Sequence, residues 1–296
     1  MQPEKPNFLI IGAAKCGTTS VSNLLDSHPQ CCMSRPKEIS YFQDTLGRSK
    51  NPNFEKGWDW YKAAFSHYKG ELAVGEATPA YSDRVRSPKT AQRIFEFNSK
   101  MRIVYLIRDP LDRQISAWKM QWALPQIFSH ESEWAKRGFE YWMEKQRENG
   151  QWSVCRYSFQ IDAYLKHFPA EQLFVSTIEM WRHSQAELYN LLRFLRLSSS
   201  ENETNSPHFS NTAEDRRIEV SRVTNFVRSK PLRPIVRKLP LSWRNKWRSK
   251  LLSRRVSPPP PQISEELKSE FLHYALSDTD HPDFPLDQYR AHWRNI

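Results

Sequence analysis

Short apolar runs alternate along this chain with longer stretches of helical period. Phe8-Leu9-Ile10-Ile11 is the first run. Four apolar residues without alternation predict a strand covered on both faces. The run ends in Gly12-Ala13-Ala14-Lys15-Cys16-Gly17-Thr18-Thr19. Val21, Leu24 and Leu25 then share one helical face, and Pro29 stops that helix near His28 by excluding helical geometry from the preceding residue. Ile103-Val104-Tyr105-Leu106-Ile107 predicts a second buried strand running into Arg108-Asp109-Pro110, where Asp109 suits an N-cap and Pro110 a first helical position. Leu111, Ile115, Trp118 and Trp122 form one stripe on the helix that follows. A helix with Ile161, Leu165 and Phe168 leads into a third strand, Leu173 to Ile178. Leu188, Leu191, Leu192 and Leu195 mark a further amphipathic helix. Beyond the stiff connector Ser257-Pro258-Pro259-Pro260-Pro261, residues 263–276 predict a short helix, and the tail holds Trp293.

Strands alternating with helices imply an α/β fold: a three-layer, P-loop-like arrangement with a central, mostly parallel sheet flanked by helices. Such sheets bind ligands at the carboxyl ends of their strands. Both the Gly12–Thr19 loop and Arg108-Asp109-Pro110 fall at such ends. The expected organisation is a single domain over 1–296, with a basic segment at 220–256 and a C-terminal helical tail at 262–296.

Charge changes the picture in one place. The net charge is +11, yet between Glu219 and Glu265 there is no acidic residue and there are twelve Lys or Arg. The remainder is close to neutral, so a uniformly basic nucleic-acid binder is excluded, and no recognition motif accompanies the basic segment. Within 228–255, Leu232, Ile235, Val236, Leu239, Trp243, Trp247 and Leu251 interleave with cations, while Pro231, Pro234 and Pro240 interrupt any long helix. This pattern fits an anionic membrane surface, an acidic-acceptor groove or a solvated flap. Cys16, Cys31, Cys32 and Cys155 include no C-x-x-C pair and suit reduced cysteines. No signal-peptide core and no run of about 18 apolar residues occurs. The expectation is a soluble cytoplasmic protein, peripheral at a membrane if the basic segment engages lipid.

The candidate chemistry begins in the glycine-bearing loop. Gly12 and Gly17 have Walker A spacing, but Thr18 stands where the Walker lysine belongs and the lysine lies inside the loop, at Lys15. Anion binding survives that change. Turn N–H groups and the start of the next helix converge on an oxyanion, Thr18 and Thr19 add hydroxyls, and Lys15 adds a full charge. The missing Walker lysine, and the absence of a Walker B aspartate after Ile107, argue against ATP or GTP hydrolysis.

Four segments together resemble a known family. Lys15-Cys16-Gly17-Thr18-Thr19 is similar to the phosphosulfate loop of sulfotransferases that use 3′-phosphoadenosine 5′-phosphosulfate (PAPS). Lys37-Glu38-Ile39-Ser40-Tyr41-Phe42 and Gly75-Glu76-Ala77-Thr78-Pro79-Ala80-Tyr81 resemble segments of the heparan-sulfate and bacterial carbohydrate branch. Arg108-Asp109-Pro110, with Ser116 eight residues after the arginine, resembles the family's 3′-phosphate motif. The resemblance spans residues 7 to 195, in the family's order.

The resemblance implies transfer of a sulfuryl group from PAPS to a hydroxyl or amine, with a glycan or lipid-linked sugar as acceptor and no metal required. Lys15, Cys16, Gly17, Thr18 and Thr19 would hold the 5′-phosphosulfate, and Lys15 would also neutralise charge growing on the bridging oxygen. Arg108 and Ser116 would grip the 3′-phosphate. Glu38 is the expected general base, with Glu76 in reserve. Ser40 stands where many relatives have histidine, Ala77 where heparan-type enzymes often have lysine, and the relatives' C-terminal loop over the nucleotide has no counterpart unless Arg216 or Arg217 replaces it. Two other readings compete: a P-loop small-molecule kinase using ATP and Mg²⁺, and an inactive nucleotide-binding module that docks on membranes.

Overall fold

The computed structural model describes residues 3–47, 49–122, 133–198, 218–219, 253–254, 259–278, 281–282 and 285–295. Apart from Ser253 and Arg254, the basic segment 220–256 lies outside the described residues, as do Arg216 and Arg217. In chain order the elements are β1 (Phe8–Gly12), α1 (Thr18–Asp26), β2 (Cys31–Met33), β3 (Thr45–Leu46), β4 (Ser49–Lys50), α2 (Gly57–Lys62), β5 (Ala73–Ala77) and α3 (Thr90–Phe97). There follow β6 (Arg102–Ile107), α4 (Pro110–Trp122), α5 (Glu133–Glu148), α6 (Tyr157–Leu165), β7 (Leu173–Thr177), α7 (Ile178–His183) and α8 (Ala186–Leu195). The last are β8 (Ile218–Glu219), β9 (Ser253–Arg254), α9 (Glu265–Leu276) and α10 (Asp287–Arg290).

Five strands form the central sheet in the order β2-β5-β1-β6-β7. Every pairing in it is parallel, the arrangement expected from the alternating pattern. All of β1 is buried, as an apolar run at the centre of a parallel sheet must be. The chain builds one side of β1 first, with β2 and β5, and then returns to its other side with β6. The loop leaving β1 and the turn leaving β6 therefore lie side by side where the winding reverses, the crevice in which α/β sheets bind ligands.

The chain divides into two compact units. One comprises Met1–Arg113, Gly150–Phe209 and Ser269–Ile296, and the other Gln114–Asn149 and Ser210–Lys268. The sheet belongs to the first. Within the second, α5 is broken at Gly138, whose φ of 90° and ψ of −170° are not helical. Phe139 packs edge-on against Trp118 and stacks on Trp142, and the Trp142 indole donates to Gln121 Oε1 at 2.7 Å.

Several boundaries differ from the pattern-based expectation, each for a visible reason. The third strand ends at Thr177 because Ile178 already opens α7. Phe168 lies beyond α6 yet is fully buried. On α4, Leu111 and Trp118 are buried, but Ile115 and Trp122 are only partly so. Asp112, Arg113 and Gln114 are buried instead, and Asp112 and Arg113 are engaged at the loop crevice. Two strands of the central sheet escape the hydrophobic pattern altogether. β2 is three residues long, and β5 reads Ala-Val-Gly-Glu-Ala. Gly75 is there because the backbone carbonyl and ring of Phe8 pass so close that a Cβ would sit 2.5 Å from the oxygen and 2.6 Å from the ring.

Gly75→Ala should therefore force β1 and β5 apart. We expect a loss of about 1–3 kcal/mol, the usual range for overpacking, read as a lower denaturant midpoint at unchanged m-value.

Candidate active site

The loop between β1 and α1 is set by backbone conformation and by two arginines. Lys15 and Gly17 both have positive φ, 76° and 86°, so the chain coils tightly before entering α1. Gly12 allows the neighbouring turn Pro79–Ser82 to press in, since a Cβ there would meet Ser82 Oγ at 2.2 Å. Arg113 Nε donates to the Ala14 carbonyl at 3.1 Å, and Arg108 Nη1 donates to the Lys15 carbonyl at 3.4 Å. The loop's carbonyls are thus drawn toward α4. The start of α1 has no side-chain cap and no acidic residue in its first turn, so its N–H groups and dipole remain open to an anion.

The expected loop residues divide into two sets. Lys15, Gly17 and Thr19 are partly exposed, and Thr18 is buried. Cys16 faces the core: its thiol lies 3.9 Å from Tyr157 Oη, and its N–H donates to Ala13. Burial pushes that thiol up to about 12, despite the lowering effect of Arg113 and Arg108, so it stays protonated near neutral pH.

Glu38 and Glu76 occupy opposite environments. Glu38 is open to solvent, with its carboxylate 2.9 Å from Lys37 Nζ, and the same ammonium donates to Thr19 Oγ1 at 3.3 Å. Lys37, which the sequence marked only as part of the Lys37–Phe42 segment, therefore links that carboxylate to the loop after β1. Glu76 is completely buried. Its Oε1 accepts from Tyr61 Oη at 2.9 Å and Tyr81 Oη at 2.7 Å; its Oε2 accepts from Thr78 Oγ1 at 2.7 Å and Ile39 N at 3.1 Å. Burial raises its pKa, against the opposing pull of these donors. With both oxygens engaged and its side chain fully buried, Glu76 anchors the Lys37–Phe42 strap. Tyr81 extends the anchor, its phenol oxygen accepting from Tyr41 N at 2.8 Å. Thr78 Oγ1 accepts from Ser40 N at 3.3 Å.

On the other side of the crevice, Asp109 caps α4 as expected, with Oδ1 accepting from Leu111 N at 3.0 Å and Asp112 N at 3.1 Å. Arg108 is largely buried and lies 3.9 Å from Asp112. Its Nε is buried without a hydrogen-bond partner among the described residues. Ser116 lies on α4 in the second unit and is partly buried. The structure thus gathers Lys15–Thr19, Lys37, Glu38 and Arg108 at one sheet end. No cluster of His, Cys, Asp or Glu suited to a metal ion occurs among the described residues.

Residues 5–239 match the family model described as a sulfotransferase domain. The chain belongs to the sulfotransferase domain family. The bacterial sulfotransferase structure from Alicyclobacillus acidocaldarius is similar over 82% of this chain and 100% of its own, at 26% identity and a TM-score of 0.57. The membrane-associated sulfotransferase kil1 of Dictyostelium discoideum is 35% identical over 122 residues, 40% of this chain and 24% of that protein. The human heparan sulfate glucosamine 3-O-sulfotransferase 5 is 29% identical over 182 residues, 57% of this chain and 47% of that protein. This sulfotransferase chain spans less than half the length of those two relatives. No helix among its described residues is long and apolar enough to cross a membrane.

The two glutamates should respond in opposite ways to truncation. Glu76→Ala strands two phenols, a hydroxyl and a backbone N–H in the interior. At about 1–3 kcal/mol for each unsatisfied group, it should lower stability by several kcal/mol or prevent folding. Glu38→Ala removes an exposed ion pair and should shift stability by less than about 1 kcal/mol. Urea unfolding of the two variants checks both outcomes.

Proposed function

We propose that this chain transfers a sulfuryl group from PAPS to a hydroxyl or amine of a glycan or glycolipid acceptor, with Glu38 as general base. The observation that carries the reading is Lys37, whose ammonium touches Thr19 in the anion loop and Glu38 at once. It connects the candidate donor site to a solvent-facing carboxylate on the strap that Glu76 holds. Family membership supports sulfuryl transfer, and the heparan sulfate relative supports a carbohydrate acceptor.

The residues present fit the donor's charge. In this reading Lys15, Gly17, Thr18 and Thr19, with the open N-terminus of α1, hold the 5′-phosphosulfate, and the Cys16 backbone completes the loop. Arg108, whose Nε is buried without a hydrogen-bond partner among the described residues, holds the 3′-phosphate; a guanidinium fork suits a phosphate bidentately. Glu38 takes the proton of the acceptor as its oxygen or nitrogen forms the new bond to sulfur. The bond between sulfur and the bridging oxygen breaks, and 3′-phosphoadenosine 5′-phosphate leaves. Lys15 neutralises the negative charge that collects on that oxygen, a stabilisation that grows toward the transition state. Lys37 keeps the base next to the loop and offers its own charge to the departing phosphate. No step calls on a metal.

Two experiments test this reading. PAPS or 3′-phosphoadenosine 5′-phosphate should raise the melting temperature, with a linkage contribution of about 2.7 kcal/mol at a hundredfold excess over Kd, while ATP with Mg²⁺ should do much less. Equal stabilisation by ATP and none by PAPS would favour phosphoryl transfer. Separately, Arg108→Ala should weaken donor binding, whereas Glu38→Gln should keep it and lower turnover about 10²–10⁴-fold. A fully active Glu38→Gln enzyme would place the base elsewhere.

A further inference from the structure

The end of the chain returns to the crevice. Leu286 and Trp293 are buried in the core of the first unit, and the Trp293 indole donates to Thr177 Oγ1 at 3.1 Å, at the last residue of β7. Asn295 N donates to Asp109 Oδ2 at 2.9 Å. These two bonds pin the tail beside the turn that carries Arg108. Between them, Arg294 extends from the backbone, and its Nη2 lies 2.9 Å from Asp112 Oδ1. Arg108 Nη2 lies 3.9 Å from the other oxygen of the same carboxylate. One aspartate therefore stands between two guanidinium groups that come from sequence positions 186 residues apart.

Arg182, on α7 just beyond β7, is lowered below the usual arginine range, first by lost solvation and next by the charge of Arg108; Arg294 adds to the effect, while Glu179 and Asp112 oppose it. The acidic groups in this corner are already committed. Asp109 caps α4 and holds the tail, and Glu179 accepts from Asp109 N at 3.3 Å and from the Thr177 hydroxyl. Asp112 thus pairs directly with two arginines, Arg108 and Arg294. Arg294 has a side chain 77% exposed, so it can turn from Asp112 to a ligand without unpacking anything.

We infer that the C-terminal tail is part of the donor site, with Arg294 acting beside Arg108 as a phosphate-recognising group that selects nucleotides carrying a 3′-phosphate. This rests on the donor reading proposed above. It supplies a candidate for the role that the sequence left open to Arg216 or Arg217, which lie outside the described residues. A phosphate dianion presents more acceptor sites than one guanidinium can satisfy. The tail places a second fork within reach of the first and leaves Asp112 as the counter-charge when no ligand is bound.

The test is calorimetric titration of the full chain with 3′-phosphoadenosine 5′-phosphate and, in parallel, with 5′-AMP, which lacks only the 3′-phosphate. The wild type should prefer the former strongly. Arg294→Gln should weaken 3′-phosphoadenosine 5′-phosphate binding about 5- to 30-fold, as expected for a lost charge-assisted contact that is partly screened. Its affinity for 5′-AMP should stay unchanged, so the preference ratio falls. Arg294→Lys should restore part of the loss. Arg294→Gln sits on an exposed side chain and should melt like wild type, so a folding defect does not confuse the result. An unchanged preference ratio in Arg294→Gln would overturn the tail's role and leave the donor assignment standing. A wild type that binds 3′-phosphoadenosine 5′-phosphate no better than 5′-AMP would overturn the donor assignment itself, and this inference with it.

Discussion

Glu76 sits one residue before the end of β5, fully buried, and its carboxylate gathers four donors from three places: Tyr61 on α2, Thr78 and Tyr81 after the strand, and Ile39 in the strap. An ionisable group so placed is costly unless its oxygens are satisfied. Here they are satisfied by the elements that must be brought into register with the sheet. The Lys37–Phe42 strap has no regular secondary structure of its own, and its position is dictated by this carboxylate and the phenol of Tyr81. Because Lys37 and Glu38 directly precede Ile39, whose N–H the carboxylate holds, the anchor also sets where they meet the loop.

The opposite wall of the crevice uses the same economy. Asp109 caps α4, and Arg108 and Arg113, flanking that cap, draw the loop carbonyls toward the helix. Drawing the carbonyls away leaves the open start of α1 as the electropositive end of the loop. The C-terminal tail reinforces this wall through Asn295 and Trp293. Structural and candidate chemical groups therefore alternate along the chain: Glu76 and Asp109 hold, while Glu38 and Arg108 face the crevice.

Membership of the sulfotransferase domain family and the two-walled crevice point the same way. A donor rich in phosphate needs cations and N–H groups on rigid supports, and an acceptor needs a base that solvent can reach. Exposed Glu38 and buried Glu76 meet the second requirement very differently, although both are glutamates in segments resembling the same family. Accessibility, which no motif encodes, separates the two.

Much was legible from the chain alone. The runs at Phe8–Ile11 and Ile103–Ile107 gave buried parallel strands, because only a strand covered on both faces tolerates unbroken apolar residues. Asp109-Pro110 gave a helix start, and Gly12 to Thr19 a tight strand-to-helix loop, since these depend on local backbone preferences. What stayed hidden depends on partners distant in sequence. β5 does not look like a core strand until Phe8 is seen to exclude any side chain at position 75 and four donors are seen to enclose Glu76. Lys37 bridges to Thr19 across 18 residues, and Arg294 shares Asp112 with Arg108 across the length of the chain. Periodicity and caps act over a few residues and can be read in order. Burial, charge convergence and steric exclusion arise only when the folded chain brings remote positions together, and those decided which residues face the site.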